Sequence, residues 1–185
     1  MTIVSTQKLN RMRTLVFAII AIITTGLYSF TGDQQLTITS TSFVSNGLIP
    51  VKYSCEGSEI NPPLHIAHIP AQTKSLAIIV QDPDAPGKNG FTHWVIWNVG
   101  LDGNIPENYR DADQEMNSGE KNGYKGMCPP EGVHHYHFMV YALDTKLNLD
   151  HNTNKDALEK AISGHILGKR ELIGLYRKTK EGEVK

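Results

Sequence analysis

Cysteine is almost missing from this 185-residue chain: Cys55 and Cys128 are the only two. They form neither a C-x-x-C pair nor a zinc-type spacing, which excludes a dithiol redox motif and a small zinc module. No charge of one sign dominates. The chain has 18 Lys and Arg against 19 Asp and Glu, a formal net charge of −1. A protein that neutralises nucleic-acid phosphates over a broad face needs a basic surplus, so that class is excluded. G-x-G-x-x-G, the P-loop pattern and G-x-S-x-G are all missing, which leaves nucleotide chemistry and a serine-hydrolase elbow without a foothold. At 39% hydrophobic and 20% charged, the composition is that of a soluble globular protein and argues against disorder, a coiled coil or a polytopic membrane protein.

One long apolar run is present. Lys8, Arg11 and Arg13 precede Leu15–Ile23, nine apolar residues, inside an uncharged stretch from Thr14 to Phe30. A basic flank followed by an apolar core is the layout of a secretory signal. As a helix the uncharged stretch reaches about 26 Å, close to a membrane's hydrocarbon thickness, so an uncleaved N-terminal anchor is the other reading. Residues 1–30 are therefore expected to be a signal peptide or membrane anchor, and residues 31–185 a single domain, periplasmic or secreted, or held at the inner membrane by the N-terminal segment. Without the leader's three cations the rest has 15 basic and 19 acidic residues, a net charge of −4. The remaining chain is long enough for a real hydrophobic core without disulfides. In an exported chain Cys55 and Cys128 can pair, or stand as two separate thiols.

Short strand-like runs recur between turn signals: Leu36–Ser40, Ser75–Gln81, Trp94–Val99, His137–Leu143 and Glu171–Tyr176. His137–Leu143 is apolar at both alternating sets of positions, which predicts a central strand covered on both sides. Lys155–Ile166 alone has helical spacing, with N-cap candidates Asn152, Thr153 and Asn154, and Gly168 as a stop. The expected fold is mainly β, an antiparallel sandwich with small helical additions near the C-terminus.

Polar residues gather at three strand ends. Asp82 and Asp84 flank Pro83 directly after the Ser75–Gln81 run, in a turn stiffened by proline. His93 opens the Trp94–Val99 run. Cys128-Pro129-Pro130 then leads to a strand with His134 and Tyr136 on one face and His135 and His137 on the other. The paired imidazoles invite a metal, but no third ligand is selected by spacing, and no cofactor is expected. Cys128 beside Pro129 is a conceivable nucleophile without a supporting signature.

These segments, DPDAP, THWVIWN and CPPEGVHHYHFMVYALD in this order, resemble the phosphatidylethanolamine-binding protein family, most closely its bacterial and archaeal branch of Raf kinase inhibitor-like proteins. Tyr53–Gly57, Asn61–Leu64, Ala161–Gly168 and Glu171–Tyr176 add to the likeness, which spans residues 36–178. The resemblance implies a β-sandwich with a small anion pocket at one end, built from Asp82, Asp84, His93, Pro129, His134 and Tyr136, with Cys128 at its lip. Many eukaryotic members have Gly where this chain has Cys128, which makes pairing with Cys55 possible. The C-terminal helix found in some animal members is not evident after Tyr176.

The expected function is that of an exported, non-enzymatic binding protein for a phosphorylated or zwitterionic small ligand or phospholipid headgroup. The resemblance also implies an alternative, an inhibitor or regulator of a protein partner such as a protease or kinase. If the histidines bind as cations, affinity falls as pH rises through roughly 6–7.

Overall fold

The computed structural model describes residues 35–114, 117–119, 122–150 and 153–179. The leader, residues 1–30, lies outside the described residues, and both readings of it with it. Among the described residues no helix is long and apolar enough to cross a membrane.

The described chain runs through β1 (Thr37–Thr39), β2 (Gly47–Leu48), a 3-10 turn at Val51–Tyr53, β3 (Leu64–Ala67), β4 (Ser75–Asp82), β5 (Phe91–Val99), β6 (Asn104–Ile105), β7 (Asp113–Gln114), β8 (His134–Leu143), α1 (Lys155–Ile162) and β9 (Ile166–Tyr176). A three-stranded sheet has the order β1-β3-β6, and a six-stranded sheet the order β2-β9-β8-β4-β5-β7. The pairings are antiparallel except that of β2 with β9, which is parallel.

Strand periodicity explains the layers. On the inner face of the large sheet, Leu76, Ile78, Val80, Trp94, Ile96, Phe138 and Val140 pack against Ile38, Leu64, Ile66 and Ile105 of the small sheet. On its outer face Ala77, Ile79, Val95, Trp97, Tyr141 and Leu143 are covered by Leu158 and Ile162 of α1. Both faces of β4 are thus buried, and both faces of β8 from Val140 to Leu143, as the unbroken apolar runs require.

The helix is shorter than its spacing predicts. Asn154 caps it, its side chain accepting from the Ala157 N–H at 3.0 Å. It stops at Ile162: Ser163 is extended and Gly164 follows at φ 86°. Ile166 and Gly168 instead open β9, which pairs with β8 from Leu143 to His134. A full ladder on the edge of a central strand outweighs one further turn of an exposed helix. Short strands β2, β3, β6 and β7 carry too few residues for a periodic signal.

Candidate functional site

The C-terminal end of β4 and the N-terminal ends of β5 and β8 meet at one rim of the large sheet. β4 delivers Asp82, β5 delivers His93, and β8 delivers His134 and Tyr136, all turned inward and buried. Asp82 Oδ1 accepts from the N–H of Asp84 at 2.9 Å and of Ala85 at 3.0 Å, so the carboxylate holds its own turn. Its Oδ2 accepts from His134 Nδ1–H at 2.8 Å. Gly90 lets the β4–β5 loop fold back: at φ 63°, a Cβ there would lie 2.2 Å from the Asp82 carbonyl oxygen.

His93 Nδ1 lies 2.8 Å from the carbonyl of Lys125. A carbonyl can only accept, so Nδ1 carries the proton and Nε2 of the neutral ring is an acceptor. Burial pushes the imidazole down to about 4, against smaller opposing effects of the Lys125 carbonyl and Asp82. The expectation that the histidines bind as cations is therefore corrected for His93: at neutral pH its ring is uncharged and presents a lone pair. Phe91 and Tyr136 bracket its ring, with centroids 4.7 and 5.2 Å away.

Linkage gives this a measurable form. In the unfolded chain His93 takes a proton near pH 6.5. The folded protein resists until about 4. The unfolded state binds more protons across that window, so stability is complete above pH 6.5 and falls by about 3 kcal/mol as pH drops to 4. Urea titrations of the wild type and His93→Phe, compared from pH 7 to 4, are expected to show a steeper decline for the wild type. Parallel curves would contradict this account of His93.

Tyr136 stands behind His93. Its hydroxyl is fully buried with no hydrogen-bond partner among the described residues. Burial first, and the charge of Asp82 next, push the phenol far up, so it remains protonated. Asp84 turns away from this cluster. It accepts from the backbone N–H of His135 at 2.8 Å and from His135 Nδ1–H at 2.7 Å, and these bonds hold its carboxyl below the usual range. His137 likewise pairs outside with Glu171 at 2.8 Å. Among the described residues no group of three or more His, Cys, Asp or Glu is placed to hold a metal ion.

The lip is built from the Lys125–Pro130 loop. Cys128 is bonded to Cys55, with 5.4 Å between Cα atoms, so the two thiols of the sequence are one disulfide. It fastens the lip to the Tyr53–Glu59 strap, alongside the Cys55 N–H bonded to the Met127 carbonyl at 3.0 Å. Gly126 permits the close approach, since a Cβ there would meet Ser54 C at 2.7 Å. Lys125 Nζ pairs with Glu59 at 2.9 Å across the same seam.

Between this lip and the β4–β5 end lies a cavity of about 240 Å³. Asp82, His93, Cys128 and Pro129, four of the residues singled out in the sequence, are in its wall, together with Ala85, Pro86, Phe91, Lys125, Gly126 and Pro130. His134 and Tyr136 support the wall from behind, and Asp84 stays outside it. The residues missed by sequence reading differ in how visible they were. Phe91 is two residues before His93 on one strand, so period two already places the two rings together. Lys125 in a Gly-rich loop carries no signal of its own. A larger groove of about 800 Å³ lies on the three-stranded sheet, among Leu64, His65, Leu101, Asp102, Tyr109 and Asp111. Its carboxylates Asp102 and Asp111 and its imidazole His65 are exposed, whereas Asp82 and His93 are buried in the smaller cavity. Buried, mutually bonded polar groups mark the smaller cavity as the candidate site.

Residues 39–177 match the family model described as phosphatidylethanolamine-binding protein. A UPF0098 protein of Pyrococcus horikoshii is 46% identical over 159 residues, covering 80% of this chain and 80% of its relative. Another from Methanothermobacter thermautotrophicus is 46% identical over 145 residues, covering 74% and 95%. The crystal structure of a Chlamydia trachomatis protein described as a phosphatidylethanolamine-binding protein homologue superposes with a TM-score of 0.76 at 37% identity, covering 78% of this chain and 99% of that one. Sequence match, relatives and fold agree, and the chain belongs to the phosphatidylethanolamine-binding protein family.

Proposed function

We propose that this chain is an exported, non-enzymatic binding protein that takes a phosphorylated or zwitterionic small ligand or lipid headgroup in the cavity at the β4–β5–β8 rim. The observation that carries this reading is the mixed charge around one small cavity. Asp82 sits in a wall that also contains Lys125, so a ligand with both signs meets complementary groups. The walls are pre-formed: Asp82 is fixed by three hydrogen bonds, and the lip is tied down by a disulfide. Binding then costs little reorganisation. The disulfide also supports an oxidising compartment, in line with the basic and apolar leader. Because the Cys128 sulfur is engaged, the conceivable thiolate nucleophile is unavailable, which favours binding over turnover.

Calorimetric titration with phosphoethanolamine tests the reading. His134→Ala removes the donor that orients Asp82, and affinity is expected to fall about tenfold. Equal affinity in the variant and the wild type would remove this cavity from consideration. The alternative, a regulator of a protein partner, is supported by the larger groove and by Leu101 on its edge, 45% exposed. A partner captured from an envelope extract equally well by wild type and His134→Ala would favour that reading instead.

A further inference from the structure

The larger groove on the three-stranded sheet has walls that the fold itself builds. One is β3 with β6, where Leu64 and Ile105 are buried. The other is the Pro106–Asp111 loop. Asn61, 1% exposed, locks that loop: its Nδ2 donates to the Pro106 carbonyl at 2.8 Å, and its Oδ1 accepts from the Tyr109 N–H at 2.8 Å. Gly103 brings the turn before β6 onto β3, since at φ 71° a Cβ there would lie 2.1 Å from the Ile66 carbonyl oxygen. Both walls are held by groups inside the domain, so occupying the groove costs little ordering. Its charge is one-sided. Asp102 and Asp111 are exposed in the wall, and among the described residues no lysine or arginine shares it. The cations nearby in the chain are engaged elsewhere: Lys52 pairs with Glu107, and Arg110 donates to Asn108 Oδ1 at 2.8 Å. Asp102 Oδ1 takes a long bond, 3.3 Å, from the Asn104 N–H and is weakly held. Both carboxylates act on one phenol: burial first, then the charges of Asp111 and Asp102, push Tyr109 up. Like charges gathered around one group are relieved by a cation from outside the chain. Beside them Leu101 is 45% exposed.

We infer that this groove docks a partner protein through a segment that sets arginine or lysine next to an aliphatic or aromatic side chain, the cation meeting Asp102 and Asp111 and the apolar group meeting Leu101. This rests on the reading of the groove as the surface of a regulator, and it names the partner's chemistry. Arginine suits the pair best, because its planar guanidinium offers donors to two carboxylates at once. An acidic segment is repelled by the same pair, so the groove discriminates by sign as well as by shape. β6 is two residues long, so an added strand finds few backbone partners there, and recognition falls to side chains. The groove shares no wall residue with the cavity at the β4–β5–β8 rim, so the two can be tested separately. Exposed ion pairs are weak one by one, which makes the docking transient and sensitive to salt.

Fluorescence anisotropy with the full chain and three labelled short peptides tests this. One peptide alternates arginine with leucine, one glutamate with leucine, and one arginine with serine. The arginine–leucine peptide is expected to bind about tenfold or more tightly than either of the others. Its affinity should fall about tenfold as ionic strength rises from about 0.05 M to about 0.5 M. Asp102→Asn combined with Asp111→Asn should weaken it about tenfold, and Leu101→Ser about fivefold. Asparagine at 102 can still accept from the Asn104 N–H, and all three side chains are exposed, so the fold is kept. An arginine–leucine affinity unchanged in the asparagine pair would reveal a non-specific pull by the acidic domain and overturn the inference. Equal binding of the glutamate–leucine and arginine–leucine peptides, both weakened by Leu101→Ser, overturns the choice of charge while leaving the groove as a docking surface. No binding by any peptide overturns the regulator reading of the groove as well. A wild-type dimer that the asparagine pair dissolves gives the groove to a second copy of the chain and overturns the external partner.

Discussion

Replacing Cys55 and Cys128 together by serine is expected to lower the free energy of unfolding by about 4 kcal/mol. The two residues are separated by 73 positions, so the disulfide closes a long loop in the unfolded chain. Cutting it returns that conformational freedom to the unfolded ensemble. The folded state itself should change little, because the strap and lip hold each other by other means. The Cys55 N–H still reaches the Met127 carbonyl, Lys125 still meets Glu59 at 2.9 Å, and Ser54 Oγ still donates to the Tyr176 hydroxyl at 2.7 Å. Urea unfolding followed by tryptophan fluorescence should show a lower midpoint, with native amide spectra perturbed only near residues 53–59 and 125–130. A loss below about 1 kcal/mol would mean that the unfolded chain is already compact around this loop.

The second large effect is expected at Asp82. The carboxylate is 2% exposed and accepts from two backbone N–H groups and from His134. Asp82→Ala leaves the buried His134 donor without a partner and takes the acceptor from two N–H groups of a turn whose Asp84 is exposed and Ala85 half-buried. The buried donor costs about 1–3 kcal/mol and the two turn donors, which water can reach, less, so a total loss of about 2–4 kcal/mol is expected. Asp82→Asn separates the contributions. Its carbonyl can keep the turn, and only the bond from His134 is lost, so the cost should be about 1–2 kcal/mol. Midpoints of chemical denaturation measure both. If the two substitutions cost the same, the turn is held by Pro83 and Pro86 rather than by the Asp82 side chain.

Much of the fold was legible because burial on both faces leaves a continuous apolar signature. Ser75–Gln81 read as an apolar strand and His137–Leu143 as a central one, and they lie in β4 and β8. The helix over Lys155–Ile166 was half right: its N-cap was visible, but its end is decided by β8, a partner distant in sequence. At the candidate site, Asp82, His93, Cys128 and Pro129 were legible as polar or proline residues at strand ends, and they share one wall. Asp84 was misplaced because a turn residue next to a proline can face either side. Its partner, His135, fixes the outward choice. The role of His93 was invisible for a different reason. Whether an imidazole donates or accepts depends on what faces its other nitrogen, here a carbonyl 32 residues away.

The position of β9 governs the order in which the chain can finish folding. It is the last of the described strands, yet it lies between β2 and β8 in the large sheet. Until Ile166–Tyr176 has been synthesised, β8 has an open edge and β2 has nothing to pair with. No N-terminal fragment can complete the six-stranded sheet, so closure waits for the far end of the chain and depends on contacts of long sequence separation, which form slowly. A chain that stays incomplete until its last strand arrives remains threadable for as long as it is being made.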